Sequence, residues 1–203
     1  MNIEVKISNR LIPYRIAMNI INKRVDLIKK GEAGDLLWIL EHPLTYTAGV
    51  RSQKKEILDK KIKIIKTNRG GKITLHNPGQ KIIYFAINLN NKKKDIRTLV
   101  TAIEKSIIEF LKEYQINSKA DKKNIGIWVN KKKIAAIGIK VSKWIAYHGC
   151  SINIKNNLRE YEKIFPCGLD NKLITSLKNE GVNSFNNINE NLEKIFIDNI
   201  NKI

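Results

Sequence analysis

The sequence predicts an α+β fold in which a mixed, largely antiparallel sheet is flanked by helices. Apolar residues follow helical spacing near the start, the middle and the end of the chain, and short apolar runs of strand length fill the two intervals between them. Because these strands are clustered rather than alternating singly with helices, their order argues against a doubly wound parallel sheet. No repeat and no long linker interrupts the 203 residues, so we expect one domain over residues 1–203.

Three segments show the helical pattern. Residues 13–30 begin with Pro13, which suits a first helical turn, and they are followed by Gly31, which favours a stop. Residues 95–114 form the clearest helix, with Asp95 as its cap and apolar side chains along one face. The chain ends in a third predicted helix, whose inward-facing residues are Phe185, Ile188, Leu192, Ile195 and Phe196.

Six apolar runs have the length of strands and are bounded by loop-forming residues. They are residues 36–40, 62–65 and 82–87 in the first interval and residues 125–129, 134–141 and 145–154 in the second. The glycine-rich stretch RGGKITLHNPGQ lies between the second and third of these runs, and we expect a loop there.

The chain is strongly basic. Its 38 Lys and Arg against 19 Asp and Glu give a formal net charge of +19, which attracts polyanions such as nucleic acid, anionic lipid or acidic proteins. Lysine runs in a chain crowded with Lys, Asn and Ile are also typical of solvated loops, so a compositional origin stays open. A nucleic-acid-binding domain, the alternative from another functional class, would place aromatic residues among the basic clusters, whereas these clusters adjoin Ile and Asn. We therefore expect no nucleic-acid partner.

Cysteine usage and hydropathy predict a cytoplasmic protein. The sequence has no run of 18 apolar residues, so we expect no membrane span, and its N-terminal segment lacks the apolar block of a secretory signal. Cys150 and Cys167, the two cysteines of such a chain, are expected to be free thiols in a reducing compartment. The three histidines lie far apart in sequence, and we expect no metal site.

One cysteine is a candidate nucleophile. Cys167 lies between Pro166 and Gly168, an arrangement that can hold a thiol on a turn, although most free cysteines are small buried hydrophobes. A nucleophilic thiol needs a group that accepts its proton or stabilises its thiolate. His148 is the nearest histidine in sequence, and a lysine serves where burial favours the neutral amine. Lys133 opens an apolar segment but also ends a lysine triplet, and the residues alone favour an exposed lysine over a proton acceptor.

The glycine-rich stretch also offers a binding loop. Gly70 and Gly71 free backbone amides to approach a carbonyl or a phosphate, and Arg69 supplies positive charge. The spacing of a P-loop is absent, so the stretch indicates binding without naming the ligand.

Several motifs, taken together, are more specific than any one of them. They are RGGKITLHNPGQ at residues 69–80, GIWVNKKKIAAIGIKV at 126–141, YHGCSINI at 147–154 and FPCGLDNKLITSL at 165–177. With LWILEHPLTYTAG at 37–49 as an N-terminal block, the chain resembles the octanoyltransferases of lipoate synthesis, or lipoyl(octanoyl) transferases, collinearly over nearly its whole length. The resemblance implies the fold of the lipoate and biotin protein ligase catalytic domains.

The resemblance also implies a reaction. It is the transfer of an octanoyl group from octanoyl-acyl carrier protein to a lysine of a lipoyl domain through a cysteine thioester, the first step of endogenous lipoate synthesis. The implied acceptors are the lipoyl domains of 2-oxoacid dehydrogenase complexes and the glycine-cleavage H protein. No cofactor is implied, because the donor thioester is already activated. The alternative within this fold is an ATP-dependent lipoate–protein ligase.

The family's functional positions can be matched residue by residue. Its catalytic cysteine matches Cys167, and the lysine that opens its KIAxIG motif matches Lys133. Its substrate-binding segments fall on Arg69, Gly70, Gly71, Lys72, Ile73, Thr74, Leu75 and His76, on Ala136, Ile137 and Gly138, and on Gly149, Cys150 and Ser151. Side chains expected to orient the site are His42, His76 and His148, and those expected to line an acyl tunnel are Ile137 and Ile152.

Three positions depart from the family's pattern, and the choice of Lys133 among neighbouring lysines also needs comment. Leu75 replaces the family's usual aromatic residue, and Asn77 replaces a glycine, a change that Asn tolerates best because it adopts positive φ. Cys150 replaces an apolar residue, so a Cys150–Cys167 bridge is conceivable on oxidation. Strand alternation places Lys131 and Lys133 on one face, and only the family spacing favours Lys133, with Lys131 and Lys132 expected to be solvated.

Overall fold

The computed structural model describes residues 3–92, 94–122, 124–166 and 173–203. Its helices are α1 (Tyr14–Lys30), α2 (Ile96–Glu113) and α3 (Ile188–Ile200). Its strands are β1 (Glu4–Leu11), β2 (Leu36–Glu41), β3 (Thr45–Ala48), β4 (Ile64–Lys66), β5 (Ile73–His76), β6 (Gln80–Asn88), β7 (Lys119–Ala120), β8 (Ile127–Val129), β9 (Lys132–Ser142) and β10 (Ile145–Asn153).

Seven strands form the main sheet in the order β1-β2-β6-β10-β9-β8-β7. Within the described residues, β1 and β2 are the one parallel pair of this sheet, and its other pairs are antiparallel. Helix α1 packs on one face, while α2 and α3 pack together on the other. The predicted α+β class with a mixed, largely antiparallel sheet flanked by helices is therefore confirmed.

The helices form for the reasons that the sequence suggested. In α1, buried residues recur every three or four positions at Ala17, Ile21, Val25 and Ile28, and Gly31 ends the helix with φ 77°. In α2, the Asp95 side chain accepts a hydrogen bond from the backbone amide of Arg97, which caps the first turn. Both apolar stripes face the sheet, so the predicted helices over 13–30 and 95–114 are confirmed.

A second sheet of three strands, in the order β4-β3-β5, covers part of the α1 side. Strand β5 lies inside the glycine-rich stretch, where a loop was expected, so that expectation is wrong over residues 73–76. The reason is burial: Ile73 and Leu75 pack against Tyr46 and Ile164 in a small core of their own. This packing holds the Arg69–Lys72 turn over the main sheet.

The turn between β8 and β9 separates the three consecutive lysines. Asn130 and Lys131 both have positive φ, so Lys131 lies in the turn and not on the strand. Lys131 and Lys132 are exposed, whereas Lys133 is only 5% exposed. The expectation of one buried and two solvated lysines is confirmed, although the turn, and not strand alternation, sets Lys131 apart.

Candidate active site

A cavity of about 360 Å³ lies between the main sheet and the Arg69–Lys72 turn. Strands β9 and β10 supply its floor, and β5 supplies part of its wall. The predicted binding residues line it, apart from Ile73 and Leu75. Strand alternation explains these two exceptions, because Thr74 and His76 face the cavity and their neighbours face the small core. Three predicted segments that are distant in sequence therefore meet at one place.

The floor of the cavity is made of residues with little or no side chain. Gly138 lies opposite Gly149, and Ala136 lies opposite Ser151, in the β9–β10 ladder. A Cβ atom on Gly138 would lie 3.4 Å from the Gly70 carbonyl oxygen, which is ordinary contact. A Cβ atom on Gly149 would collide with the backbone carbonyl of Ile83 on β6. These positions keep the floor open, and Gly149 is also required for the strands to pair.

Lys133 is buried and lines the cavity. Its Nζ atom donates a hydrogen bond to the Ile125 carbonyl oxygen at 2.6 Å and lies 5.7 Å from the centre of the Trp128 ring. The side chain passes over Gly126, where φ is 141° and an added Cβ would collide with Cε of the lysine. The strand β8 and the residues before it thus hold the amine in one place.

The residues on both sides of the Cys167 segment lie beside Lys133. Pro166 and Ile174 line a small cavity together with Lys133, and Ile174 forms a parallel bridge to Lys133. The Thr175 amide donates a hydrogen bond to the Lys133 carbonyl oxygen at 2.9 Å. Cys167 itself lies outside the described residues, so its predicted distance from the Lys133 amine stays a prediction.

The second cysteine contributes its backbone to the cavity and its side chain to the core. Cys150 pairs with Ile83 and Ile137 on the neighbouring strands and packs in the apolar core under α2 and α3. Burial raises the pKa of its thiol, which disfavours a nucleophilic thiolate. A bridge between Cys150 and Cys167 stays an untested prediction.

The same alternation corrects the predicted acyl tunnel. Ile152 packs in the core beneath α2 and α3 and does not line the cavity. Ile137 does line the cavity, although it also packs against that core. Ile82 and Tyr84 of β6 line the cavity as well. The expectation of a tunnel residue is therefore wrong for Ile152, which faces the other side of the sheet.

Tyr14, His42, His76 and Tyr84 form a cluster of rings at and behind the cavity wall. The ring centre of Tyr14 lies 5.4 Å from that of His42 and 6.0 Å from that of His76. Nδ1 of His42 donates to the Ile12 carbonyl oxygen, so its Nε2 accepts the hydrogen bond from the Tyr84 hydroxyl at 2.9 Å. His42 does not line the cavity, and it acts on the wall through Tyr84.

Burial keeps this cluster uncharged. It lowers the pKa of His42 to about 4. It also lowers the pKa of His76 to about 3, with further contributions from His42 and the Arg69 cation. Both imidazoles are therefore neutral at pH 7.

His148 has an unusual backbone for a residue within a strand. Its φ is 71°, its Nε2 donates to the Asn68 side-chain oxygen at 2.8 Å, and its buried Nδ1 has no hydrogen-bond partner among the described residues. Burial, Arg69 and Lys140 together lower its pKa to about 4. Backbone strain of this kind is common at functional sites. Here it directs a neutral imidazole toward the cavity, where His148 forms part of the wall.

The charged side chains around the cavity are basic. Arg51, Arg69, Lys72 and Lys133 line it, and none of its described lining residues is acidic. The Arg69 guanidinium donates to the Thr47 carbonyl and hydroxyl oxygens, at 2.9 and 3.0 Å, which fixes it against β3. The cavity therefore suits a neutral chain that leads to an anionic partner at the mouth.

Sequence reasoning missed four further lining residues. Tyr14 and Tyr84 belong to apolar patterns that predicted only core positions, Asn124 precedes the strand predicted over residues 125–129, and Ile125 is its first residue. Within the described ranges no cluster of three or more potential metal ligands occurs. No helix among these residues is long and apolar enough to cross a membrane.

Comparison with known proteins identifies the family of this chain. The model of the lipoyl protein ligase A/B catalytic domain matches residues 13–197. The chain belongs to that family. It is 42% identical over 181 residues to an octanoyltransferase of Wolbachia pipientis, with 87% of this chain and 88% of the relative covered. It is 38% identical over 186 residues to an octanoyltransferase of Anaplasma marginale, with 89% and 87% covered.

Solved structures share the fold of this chain. A lipoate protein ligase from T. acidophilum with bound lipoic acid has a TM-score of 0.76 at 13% identity, covering 99% of this chain and 87% of the other. A biotin protein ligase from Aquifex aeolicus has a TM-score of 0.55 at 14% identity, covering 99% and 71%. The resemblance to octanoyltransferases that the motifs indicated is confirmed by the relatives, and so is the acyltransferase class.

Proposed function

We propose that the protein transfers an octanoyl group from octanoyl-acyl carrier protein to a lysine of a lipoyl domain through a thioester on Cys167. One observation carries the proposal. The buried Lys133 side chain lines a cavity of about 360 Å³ and also a smaller one that Pro166 lines, and Pro166 is followed directly by Cys167. The family match over residues 13–197 supports one catalytic domain across residues 1–203.

In the first half-reaction, Lys133 accepts the thiol proton of Cys167, and the resulting ammonium stabilises the thiolate. The sulfur attacks the acyl carbonyl carbon, a new carbon–sulfur bond forms, and the bond to the phosphopantetheine sulfur breaks. The departing thiolate takes the proton back from Lys133. One thioester replaces another, so the step requires no ATP.

In the second half-reaction, the neutral amine of the acceptor lysine attacks the acyl-enzyme carbon. The bond to the Cys167 sulfur breaks, and the amine proton passes to Lys133 or directly to the departing thiolate. The product is an amide, which is more stable than the thioester and pulls the transfer forward. The acyl chain occupies the cavity throughout, above the floor of Gly138 and Gly149.

The charge around the mouth supports acidic protein partners. Arg51 and Lys72 line the cavity, and Lys131 and Lys132 are exposed at the turn next to Lys133. A basic rim speeds encounter with acidic proteins, and we propose acyl carrier protein and the lipoyl domains of 2-oxoacid dehydrogenase complexes and the H protein as these partners. The described free thiol, Cys150, supports a reducing compartment, for which we propose the cytoplasm.

A transfer assay tests this function against the ligase alternative. The purified protein is incubated with octanoyl-acyl carrier protein and a lipoyl domain, with ATP and magnesium left out, and the mass of the lipoyl domain is measured. We expect full octanoylation by the wild type, none by Cys167→Ser and nearly wild-type transfer by Cys150→Ser. A strict requirement for ATP with free octanoate would assign the protein to the ligases instead.

The nucleic-acid alternative needs a separate measurement. Binding of duplex DNA is followed as the salt concentration rises, because a purely electrostatic interaction is lost steeply with salt. We expect no binding at physiological ionic strength. Retained binding there would favour a nucleic-acid-binding role for the +19 charge.

A further inference from the structure

Two cavities meet at one pair of side chains. Tyr14 and His148 line the active-site cavity, and the same two residues also line a groove of about 730 Å³ between α1 and β4. The remaining apolar lining of this groove comes from Met18, Ile64 and Ile65. Tyr14 and His148 therefore form the partition between the active-site cavity and an outer groove that has apolar side chains of its own.

The position of this partition follows from the strand register. Ser151 lines both the active-site cavity and the small cavity of Lys133 and Pro166, so it marks the reacting end. His148 precedes Ser151 on the same strand by three positions, which span about 10 Å at the usual rise of a strand. An extended octanoyl chain has seven carbon–carbon bonds of about 1.5 Å and is about 9 Å long. The partition thus lies where the eighth carbon of a chain attached near Ser151 ends.

Both side chains of the partition are held in place. Tyr14 is the first residue of α1, it is 4% exposed, and its ring stacks against that of His76. His148 is held by its hydrogen bond to Asn68, in a backbone conformation that few residues other than glycine adopt. The wall is held by the start of a helix on one side and by a strained strand on the other. It therefore does not move easily to make room for a longer acyl chain.

We infer that Tyr14 and His148 are the chain-length determinants of this enzyme, forming the end wall that admits an eight-carbon acyl chain and excludes longer ones. The inference rests on the proposed octanoyl transfer and adds the residues that set its specificity. Removing the Tyr14 ring joins the cavity to the α1–β4 groove, which then receives the additional methylene groups of a longer chain. Selectivity at the methyl end is therefore separate from the chemistry at Lys133.

The test measures acyl uptake as a function of chain length. Wild type and Tyr14→Ala are each incubated with acyl carrier protein that bears octanoyl, decanoyl or dodecanoyl, and the rate of adduct formation is followed by intact mass. For the wild type we expect at least about tenfold slower uptake of dodecanoyl than of octanoyl, since single methylene groups change selectivity by factors of ten or more. For Tyr14→Ala we expect the ratio of octanoyl to dodecanoyl rates to fall by about tenfold or more.

Matched variants separate the ring from the surrounding groove. Met18→Ala, one turn further along α1, changes the outer groove only, and it should keep the wild-type chain-length preference. Tyr14→Phe retains the ring and should keep the preference for octanoyl. His148→Gly suits the positive φ and opens the partition from the other side, so it gives an independent answer if Tyr14→Ala does not fold.

The outcomes distinguish the two proposals. If the wild type forms no adduct with octanoyl, the proposed function fails. If the wild type forms the octanoyl adduct but Tyr14→Ala and His148→Gly keep its chain-length preference, the function stands and the end-wall inference is overturned. Equal uptake of octanoyl and dodecanoyl by the wild type would also overturn it.

Discussion

The two faces of the main sheet differ in what their side chains do, although the same strands supply both. On the α2–α3 face, Ile83, Cys150 and Ile152 belong to a closed apolar core. On the opposite face of the same strands, Gly149 and Ser151 line the cavity. One face therefore maintains the fold, the other is free to hold a substrate, and strand alternation keeps the two roles apart. Substitutions on the two faces should have separable effects.

The largest effect on activity is expected at the buried lysine. Lys133→Ala removes the proposed proton acceptor and should lower transfer by about a hundredfold to ten-thousandfold. Lys133→Arg should not restore it, because a guanidinium keeps its proton at working pH. Lys132→Ala, one residue away and exposed, is the matched control. Single-turnover rates measure both, and near wild-type transfer by Lys133→Ala would remove Lys133 from the mechanism.

Two paired glycines offer a direct test of the separation. Gly149→Ala forces a Cβ atom into the Ile83 carbonyl and should lower the free energy of unfolding by about 3 kcal/mol, as overpacked cores do. Gly138→Ala meets only ordinary contacts and should fold normally, while its methyl group narrows the cavity and slows transfer by about tenfold. Urea unfolding and transfer rates distinguish the two. Equal effects on stability would contradict the assignment of the contacts.

The core cysteine should behave in the opposite way to the lysine. Cys150→Ser places a hydroxyl in the apolar core and should lower the free energy of unfolding by about 1–3 kcal/mol, with transfer retained. Urea unfolding and the transfer assay measure the two effects. A loss of transfer without a loss of stability would mean that the Cys150 side chain acts in the cavity after all.

The smallest effect concerns pH. The folded pKa values of His42, His76 and His148 are about 4, 3 and 4, below the unfolded value of about 6.5. As the pH falls below 6.5, these histidines bind protons in the unfolded chain but stay neutral in the folded one. The free energy of unfolding therefore falls from about pH 6.5 to pH 4, and these groups do not change it above that range. Each histidine contributes up to about 1.4 kcal/mol per pH unit.

Urea unfolding measured across this pH range checks the direction of the change in stability and whether the histidines cause it. His42→Gln, which replaces one of the three imidazoles by a side chain that does not titrate, should flatten the slope by the share of one histidine. A slope that is unchanged in this variant would mean that His42 is protonated in the folded protein, against the account of the neutral cluster.

Local patterns predicted the elements whose burial is simple. The helices and the central strands were found because their apolar residues recur at one period. Strand β1 was missed because it pairs only with β2 at the sheet edge, and several of its side chains are exposed. Strand β5 was missed because its apolar residues face a small core built with Tyr161 and Ile164, more than 80 positions away in sequence.

The sequence predicted the parts of the site that carry specific motifs. It did not predict which side chains face the cavity, because that depends on packing. Lys133 and residues from all three predicted binding segments line one cavity, while their roles stay predictions. The motifs did not show which residues of a segment face the cavity, and so they included Ile73 and Leu75, which face the small core, and Cys150, which packs in the core under α2 and α3. The wall formed by Tyr14 could not be anticipated, because a tyrosine at the start of an amphipathic helix matches a core position equally well.

The central claim is that the cavity face performs covalent catalysis through Cys167 while Cys150 serves only the core. Its most direct test is the intact mass of the protein after incubation with octanoyl-acyl carrier protein alone, followed by peptide mapping of the adduct. We predict one octanoyl group, bound to Cys167, present in Cys150→Ser and absent from Cys167→Ser. An adduct on Cys150, or no adduct until ATP is added, would contradict the account.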